Sequence, residues 1–148
     1  MFTQDSIEID APPQVVWDVF SDVERWPEWT ASVTSLTGQD GSALAVGKRF
    51  AIKQPGLQKL IWKVAEIEPG TSWTWVQRSP GVLVSARHNV IAQADGRTLV
   101  RQQLDQGGVL GALVGRLMVK KTRRFLELEA QGLKARSEEL SRADGPHA

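Results

Sequence analysis

Residues 106–140, Gln-Gly-Gly-Val-Leu-Gly-Ala-Leu-Val-Gly-Arg-Leu-Met-Val-Lys-Lys-Thr-Arg-Arg-Phe-Leu-Glu-Leu-Glu-Ala-Gln-Gly-Leu-Lys-Ala-Arg-Ser-Glu-Glu-Leu, decide the fold. After Gln106-Gly107-Gly108 the apolar residues Leu110, Leu113, Val114, Leu117, Met118, Phe125, Leu128 and Leu133 follow a helical period with no proline among them. The pattern predicts one helix of roughly 30 residues, about 45 Å long at 1.5 Å per residue. In a chain of 148 residues such a helix has to lie across a whole sheet.

The residues before it supply that sheet. Gly38, Asp40-Gly41, Gly47, Pro55-Gly56, Pro69-Gly70, Pro80-Gly81 and Asp95-Gly96 punctuate short β-rich segments. The segments are Val33–Thr37, Lys48–Gln54, Leu60–Glu68, Ser72–Ser79, Val82–Gln93 and Arg97–Gln106, and their short connections imply an antiparallel meander. A further strand precedes them in Phe2–Asp10, where Ile7 and Ile9 alternate with polar residues. Asp10-Ala-Pro-Pro13 then opens a helix carrying Val16, Val19, Phe20 and Val23 on one face. Trp26-Pro27 demands an extended residue and predicts a new short helix starting at the proline, with Trp26 as a surface or hinge residue. Residues 1–140 read as one domain, and the polar, Gly-Pro-containing 141–148 as a frayed tail that includes His147.

Composition narrows the chemistry. Hydrophobic residues make up 41% and charged residues 24%, which is globular, and the net charge of +1 calls for no nucleic acid or membrane. The absence of Cys removes disulfides, thiolate nucleophiles and Cys-ligated metal sites, and the absence of Tyr removes a phenolic acid. Two histidines, His88 and His147, cannot build a multi-histidine metal site, so neither metal nor cofactor is expected. Charge is unevenly spread: residues 1–30 hold seven acids against Arg25, while 109–126 hold five Lys/Arg and no acid. No apolar stretch is long enough to span a membrane, and the first residues lack a secretory signal, so a cytoplasmic location is expected. Phosphate-binding, dinucleotide-binding, zinc-protease, EF-hand and nucleophile-elbow motifs are all missing.

The order of motifs resembles a known family. Ile9-Asp10-Ala11-Pro12-Pro13 followed by Val16-Trp17 and Asp22, then Trp26-Pro27-Glu28-Trp29, is similar to the opening of the START-like helix-grip (SRPBCC) superfamily. Val64-Ala-Glu-Ile-Glu-Pro-Gly70 with Trp73 and Trp75 resembles its central strands, and His88, Asp95-Gly96-Arg97-Thr98 and Val100 its last hairpin. Within that superfamily the chain is most similar to the bacterial polyketide cyclase/dehydrase-like group, over residues 3–136. The resemblance implies an α+β helix-grip fold: a curved antiparallel sheet of about seven strands wraps the long C-terminal helix, with two short helices after the first strand. It also implies a ligand cavity between sheet and helix.

Strand alternation then assigns the cavity wall. The inward set comprises Phe50 and Ile52, then Leu60, Trp62 and Val64, with Ile67 brought in by a bulge. Trp73, Trp75 and Gln77, then Val84 and His88, then Val100, Gln102 and Leu104 continue it. Phe20 and Trp29 would close one side, and Leu110, Leu113, Val114 and Leu117 the helical side. Gly111 and Gly115 at the start of the helix fit either close packing or a cavity mouth. The tryptophans fit either core or a stacking wall for a flat ligand, with Trp29 and Trp75 the best candidates for the latter.

His88 is the candidate catalytic residue. It is the only polar member of its inward face, suited to general acid/base work or to a hydrogen bond with a ligand. The plainer reading pairs it with Gln102 or a backbone carbonyl. The basic run Lys120, Lys121, Arg123 and Arg124 reads first as a solvated face, and secondly as a weak contact with an anionic surface. The preferred function is binding or transport of a small hydrophobic molecule such as a lipid, isoprenoid or aromatic polyketide. The alternative is a polyketide cyclase, aromatase or dehydratase in which His88 polarises or deprotonates the substrate, since one fold hosts many functions.

Overall fold

In the computed structural model, which describes residues 1–143, β1 (Phe2–Ile9) is followed by helix α1 (Pro13–Ser21) and a 3-10 turn (Val23–Glu28). Strands β2 (Ser35–Gly38), β3 (Arg49–Lys53), β4 (Leu60–Glu68), β5 (Ser72–Ser79), β6 (Val82–Ala92) and β7 (Thr98–Gly107) come next. Helix α2 (Gly111–Ala143) closes the described chain. The seven strands form one antiparallel sheet in the order β1-β7-β6-β5-β4-β3-β2. Only β1 departs from the meander, crossing to pair with β7 in the register Ile7↔Val100. This is the helix-grip fold.

Local rules explain the elements. Pro13 stands at the first position of α1, where its missing N–H costs no hydrogen bond, and Val16, Trp17, Val19 and Phe20 are buried on one face. The register of β4 shifts between Val64 and Glu66, so that Val64 faces Trp75 and Ile67 faces Trp73. This bulge returns Ile67 to the inner face, where it packs against the core. The short helix expected from Pro27 onward instead begins at Val23, with Pro27 inside the turn. That turn folds Trp26 under the sheet rather than to the surface: it is 1% exposed, and its Nε1 donates to Phe20 O at 2.9 Å.

The core lies between the sheet, α1 and the second half of α2. Phe20, Phe50, Val64, Trp73, Val100 and Leu133 are all essentially free of solvent contact. Each such side chain contributes roughly 1.5–3 kcal/mol by leaving water. Aromatic contacts knit them together: Phe20 stacks on Trp26 at 5.5 Å, and Trp73 meets Phe20 edge-on at 4.8 Å. Gly132 lets α2 approach the segment after α1, because a Cβ there would run into the carbonyl of Trp29. Gly115 similarly accommodates Met1 and the Gln106 side chain, each within 3.0 Å of where its Cβ would be. Close packing is therefore what the helix glycines serve.

Two expectations for α2 change. The helix runs through Ala143, so Ser141, Arg142 and Ala143 are helical rather than tail. His147 and the rest of the expected tail lie outside the described residues. The inward face of the first turns is not the leucine face: Gly111 and Gly115 are buried, while Leu110, Leu113 and Leu117 are 46%, 57% and 77% exposed. Among the described residues no helix is long and apolar enough to cross a membrane.

Candidate functional site

Cross-strand register lays the inner face of the sheet out in rows. One row runs Ile67, Trp73, His88, Gln102 and Asp5, from β4 to β1. The next runs Val64, Trp75, Ala86, Leu104 and Thr3, and the next carries Trp62, Gln77, Val84 and Gln106. The first two rows fill against α1 and the core at their β4–β5 end. Farther along, the sheet curves away from α2 and a cavity of about 400 Å³ opens. Its size falls in the range of roughly 300–1,000 Å³ typical of small-molecule sites.

Ile52, Trp62, Trp75, Val84, His88 and Gln102 line this cavity, as does Trp26. Phe20, Phe50, Val64, Trp73 and Val100, also expected there, are packed in the core beside it. Trp29 closes no side of the cavity. It is partly buried beside Gly132 and borders a separate surface cleft with Asp18, Asp22 and Arg136. Its Nε1 is buried without a hydrogen-bond partner, as is that of Trp73. The helical wall is formed by Val114, Met118, Thr122, Phe125, Leu126 and Glu129, not by Leu110, Leu113 or Leu117. The mouth lies between the β3–β4 loop (Gln54, Leu57, Gln58), the β5–β6 hairpin (Ser79, Val82) and the first turns of α2.

His88 sits in an aromatic box. It stacks on its cross-strand partner Trp73 with centroids 4.1 Å apart and planes 12° from parallel, and meets Phe20 and Trp75 edge-on. Its Nδ1 lies 3.3 Å from Trp73 O. A carbonyl oxygen only accepts, so Nδ1 carries the proton and Nε2 keeps its lone pair. Burial pushes the imidazole down to about 3, against a smaller upward pull from that carbonyl. The ring is neutral at physiological pH, and a base this weak takes up no proton near pH 7. Gln102, its neighbour on β7, donates from Nε2 to Leu126 O at 3.4 Å.

Glu129 is the residue that the sequence reading missed. It projects from α2 into the cavity at 8% exposure, and forms no ion pair among the described residues. Burial, with Asp5 adding like-charge repulsion, lifts its carboxyl to about 8. Asp5 is itself raised, chiefly by burial. Glu129 is therefore a neutral acid at pH 7, able to donate as well as accept a hydrogen bond. Its position could be read from spacing: it follows Leu126 by three residues and precedes Leu133 by four, on the helix's inward face.

Gln77 is buried and directs its amide at the Ser79 hydroxyl near the mouth. The cavity is thus mostly apolar, with neutral polar groups at set points and the exposed Arg87 at its border. Among the described residues no group of three or more His, Asp or Glu side chains is arranged to hold a metal. Lys120, Lys121, Arg123 and Arg124 are exposed, and Arg124 lies 3.8 Å from Glu127.

Residues 3–138 match the model of a family described as polyketide cyclase / dehydrase and lipid transport. No curated protein is similar enough in sequence to count as a relative. Several solved structures share the fold. A hypothetical protein of Helicobacter pylori superposes with a TM-score of 0.77 at 18% identity, over 93% of this chain and 88% of that one. A START superfamily protein of Mycobacterium smegmatis gives 0.68 at 18% identity, over 94% and 98%. The Zhui aromatase/cyclase of Streptomyces sp. R1128 gives 0.76 at 16% identity, over 98% of both chains. At these identities the likeness is one of fold.

Proposed function

The chain belongs to the polyketide cyclase/dehydrase and lipid transport family, and from that premise we propose that it binds and carries a small hydrophobic molecule inside the cavity. A lipid, an isoprenoid or an aromatic polyketide-like compound has the required chemistry. The observation that carries this reading is the cavity of about 400 Å³, walled by Trp26, Trp62, Trp75 and aliphatic side chains. Such a wall gains free energy by excluding water from an apolar guest, at roughly 25 cal/mol per Å² buried. The indole faces favour a flat guest. His88 Nε2 and the Glu129 carboxyl offer an acceptor and a donor without a charge that the guest would have to neutralise.

Native mass spectrometry of the purified protein tests for a retained guest. Titration with 2-naphthol, read by tryptophan fluorescence, tests the wall, because three of the six indoles border the cavity. The expected result is saturable quenching that is lost in Val84→Trp, a substitution that fills the space. Silence across flat phenols and long-chain alcohols, with no retained mass, overturns the reading.

A second reading is favoured by Glu129 alone. A neutral carboxylic acid in an apolar cavity can donate to and polarise a carbonyl of a β-keto chain, while the His88 imidazole, too weak a base to take the proton, only accepts a hydrogen bond. Under this reading Glu129→Gln abolishes cyclisation of a poly-β-keto thioester while binding persists, and His88→Gln, which keeps a hydrogen-bond acceptor, leaves turnover in place. Under the carrier reading no turnover is seen with the native protein.

A further inference from the structure

The start of α2 carries an apolar surface that the cavity does not use. Leu113 and Leu117, 57% and 77% exposed, stand four residues apart on one stripe of the helix, and Val109, 93% exposed, lies in the turn just before it. Continuing that stripe, Lys120, Lys121 and Arg124 replace the leucines, with Arg116 and Arg123 beside them. From Gln106 to Leu126 there is no acid. Of these five cations only Arg124 has an ion-pair partner among the described residues. Exposed aliphatics are ordinary when scattered, but a contiguous set rimmed by one sign of charge marks a contact surface.

We propose that this stripe docks on an anionic lipid bilayer, with the cavity mouth turned toward it. The sequence of apolar and basic residues along the helix decides between occupants. At 1.5 Å per residue, Lys120 and Lys121 stand about 10–12 Å beyond Leu113 and about 5–6 Å beyond Leu117. The headgroup layer on one side of a bilayer is roughly 5–8 Å deep. With its N-terminal end dipped inward, α2 thus seats the leucines at the acyl boundary while the ammonium groups lie among lipid phosphates. Nucleic acid would use the cations but leave the leucines in water. The first turns of α2 also place the cavity mouth at this surface: Val114 and Met118 face the cavity between the outward leucines. The Lys121 ammonium lies against Gly56 in the β3–β4 loop that borders the same mouth.

Docking stands on the exposed residues whether or not the cavity is filled; only its use in exchanging a guest rests on the function proposed above. Co-sedimentation with vesicles of phosphatidylcholine alone, and with about 30% phosphatidylglycerol added, tests it on the full chain. Binding is expected to the anionic vesicles, to fall with salt, and to weaken about five-fold for each cation removed in K120A, K121A and R123A. L113S/L117S, exposed positions whose substitution leaves the core intact, is expected to abolish binding even at low salt. Thermal unfolding and 2-naphthol titration of each variant check fold and cavity separately from the surface. No binding to either vesicle overturns the proposal, as does binding that L113S/L117S leaves unchanged. A dimer in solution that L113S/L117S dissociates, with no vesicle binding, assigns the surface to a second copy of the chain instead.

Discussion

Replacing Glu129 with glutamine should change how stability depends on pH, and the sign follows from the site. The carboxyl ionises near 4.5 when unfolded but only at about 8 in the cavity, chiefly because burial penalises its charge. Between those values the folded state holds a proton that the unfolded state has released, so stability falls as pH rises. At about 1.4 kcal/mol per pH unit, the loss by pH 7 is roughly 3 kcal/mol. With 8% of the residue still reachable, that figure is an upper one. His88 acts in the opposite sense. Its folded value of about 3 lies below the ordinary 6.5, so stability falls as pH drops from 6.5 toward 3. Between 4.5 and 6.5 the two slopes cancel, and these two groups together predict a plateau there with a decline on each side. Urea unfolding followed by tryptophan fluorescence at pH 4.5, 6 and 8 measures the profile. Glu129→Gln removes the alkaline decline, so variant minus wild type should grow by roughly 3–5 kcal/mol from pH 4.5 to 8. Comparing the difference at two pH values removes any fixed cost of burying the amide. Parallel profiles would refute the argument, because they would mean that water reaches Glu129 freely.

Three further outcomes are expected. His88→Gln should flatten the acid decline, which in the native protein sets in below about 4.5 at about 1.4 kcal/mol per pH unit; acid titration of the far-ultraviolet circular dichroism signal would reveal it. Gly132→Ala should destabilise by roughly 1–3 kcal/mol despite alanine's better helix propensity, because its Cβ meets the Trp29 carbonyl. A stability equal to or above that of the native protein would show that the backbone yields at no cost. Thr98→Val should lose roughly 1–3 kcal/mol in chemical denaturation. It strands the Ala11 carbonyl, which accepts from the buried Thr98 hydroxyl at 2.7 Å.

How far the residues announce this structure differs between sheet and helix. β4 and β5 begin and end where turn residues place them, since Pro69-Gly70 and Pro80-Gly81 leave little choice of register. The inner face of β6 is likewise legible, because strand alternation has only two phases and His88 falls on the apolar one. A helix has no such binary choice. From Val109 to Val119 most positions are apolar, so Leu110, Leu113 and Leu117 look like a core face when read locally. Read from the buried Leu126 the phase is different. Leu117 is nine residues away, two and a half turns, and so points to the opposite side. Glu129 is hard to find for a related reason: a carboxylate among charged neighbours gives no apolar signal, and only its spacing from the buried Leu126 and Leu133 places it inward. Trp26 was misplaced because Trp-Pro describes the backbone only, and nothing in the dipeptide shows where the 3-10 turn will carry the ring.

The pairing of β1 with β7 also sets an order of events. Phe2 and Asp105 are register partners about 100 residues apart along the chain. At a synthesis rate of roughly 5–20 residues per second, β1 leaves the ribosome some 5–20 seconds before β7 exists to receive it. Closing so long a loop is also slow in refolding, because its entropy is lost before any contact offsets it. During that interval a strand bearing Ile7 and Ile9 is open to pairing with the wrong partner. Asp5 and Glu8 within it, and Asp10 just after, act as gatekeepers. The acidic character of the first residues thus guards the nascent chain against mispairing, and in the folded protein Asp5 adds like-charge repulsion to the burial that keeps Glu129 protonated.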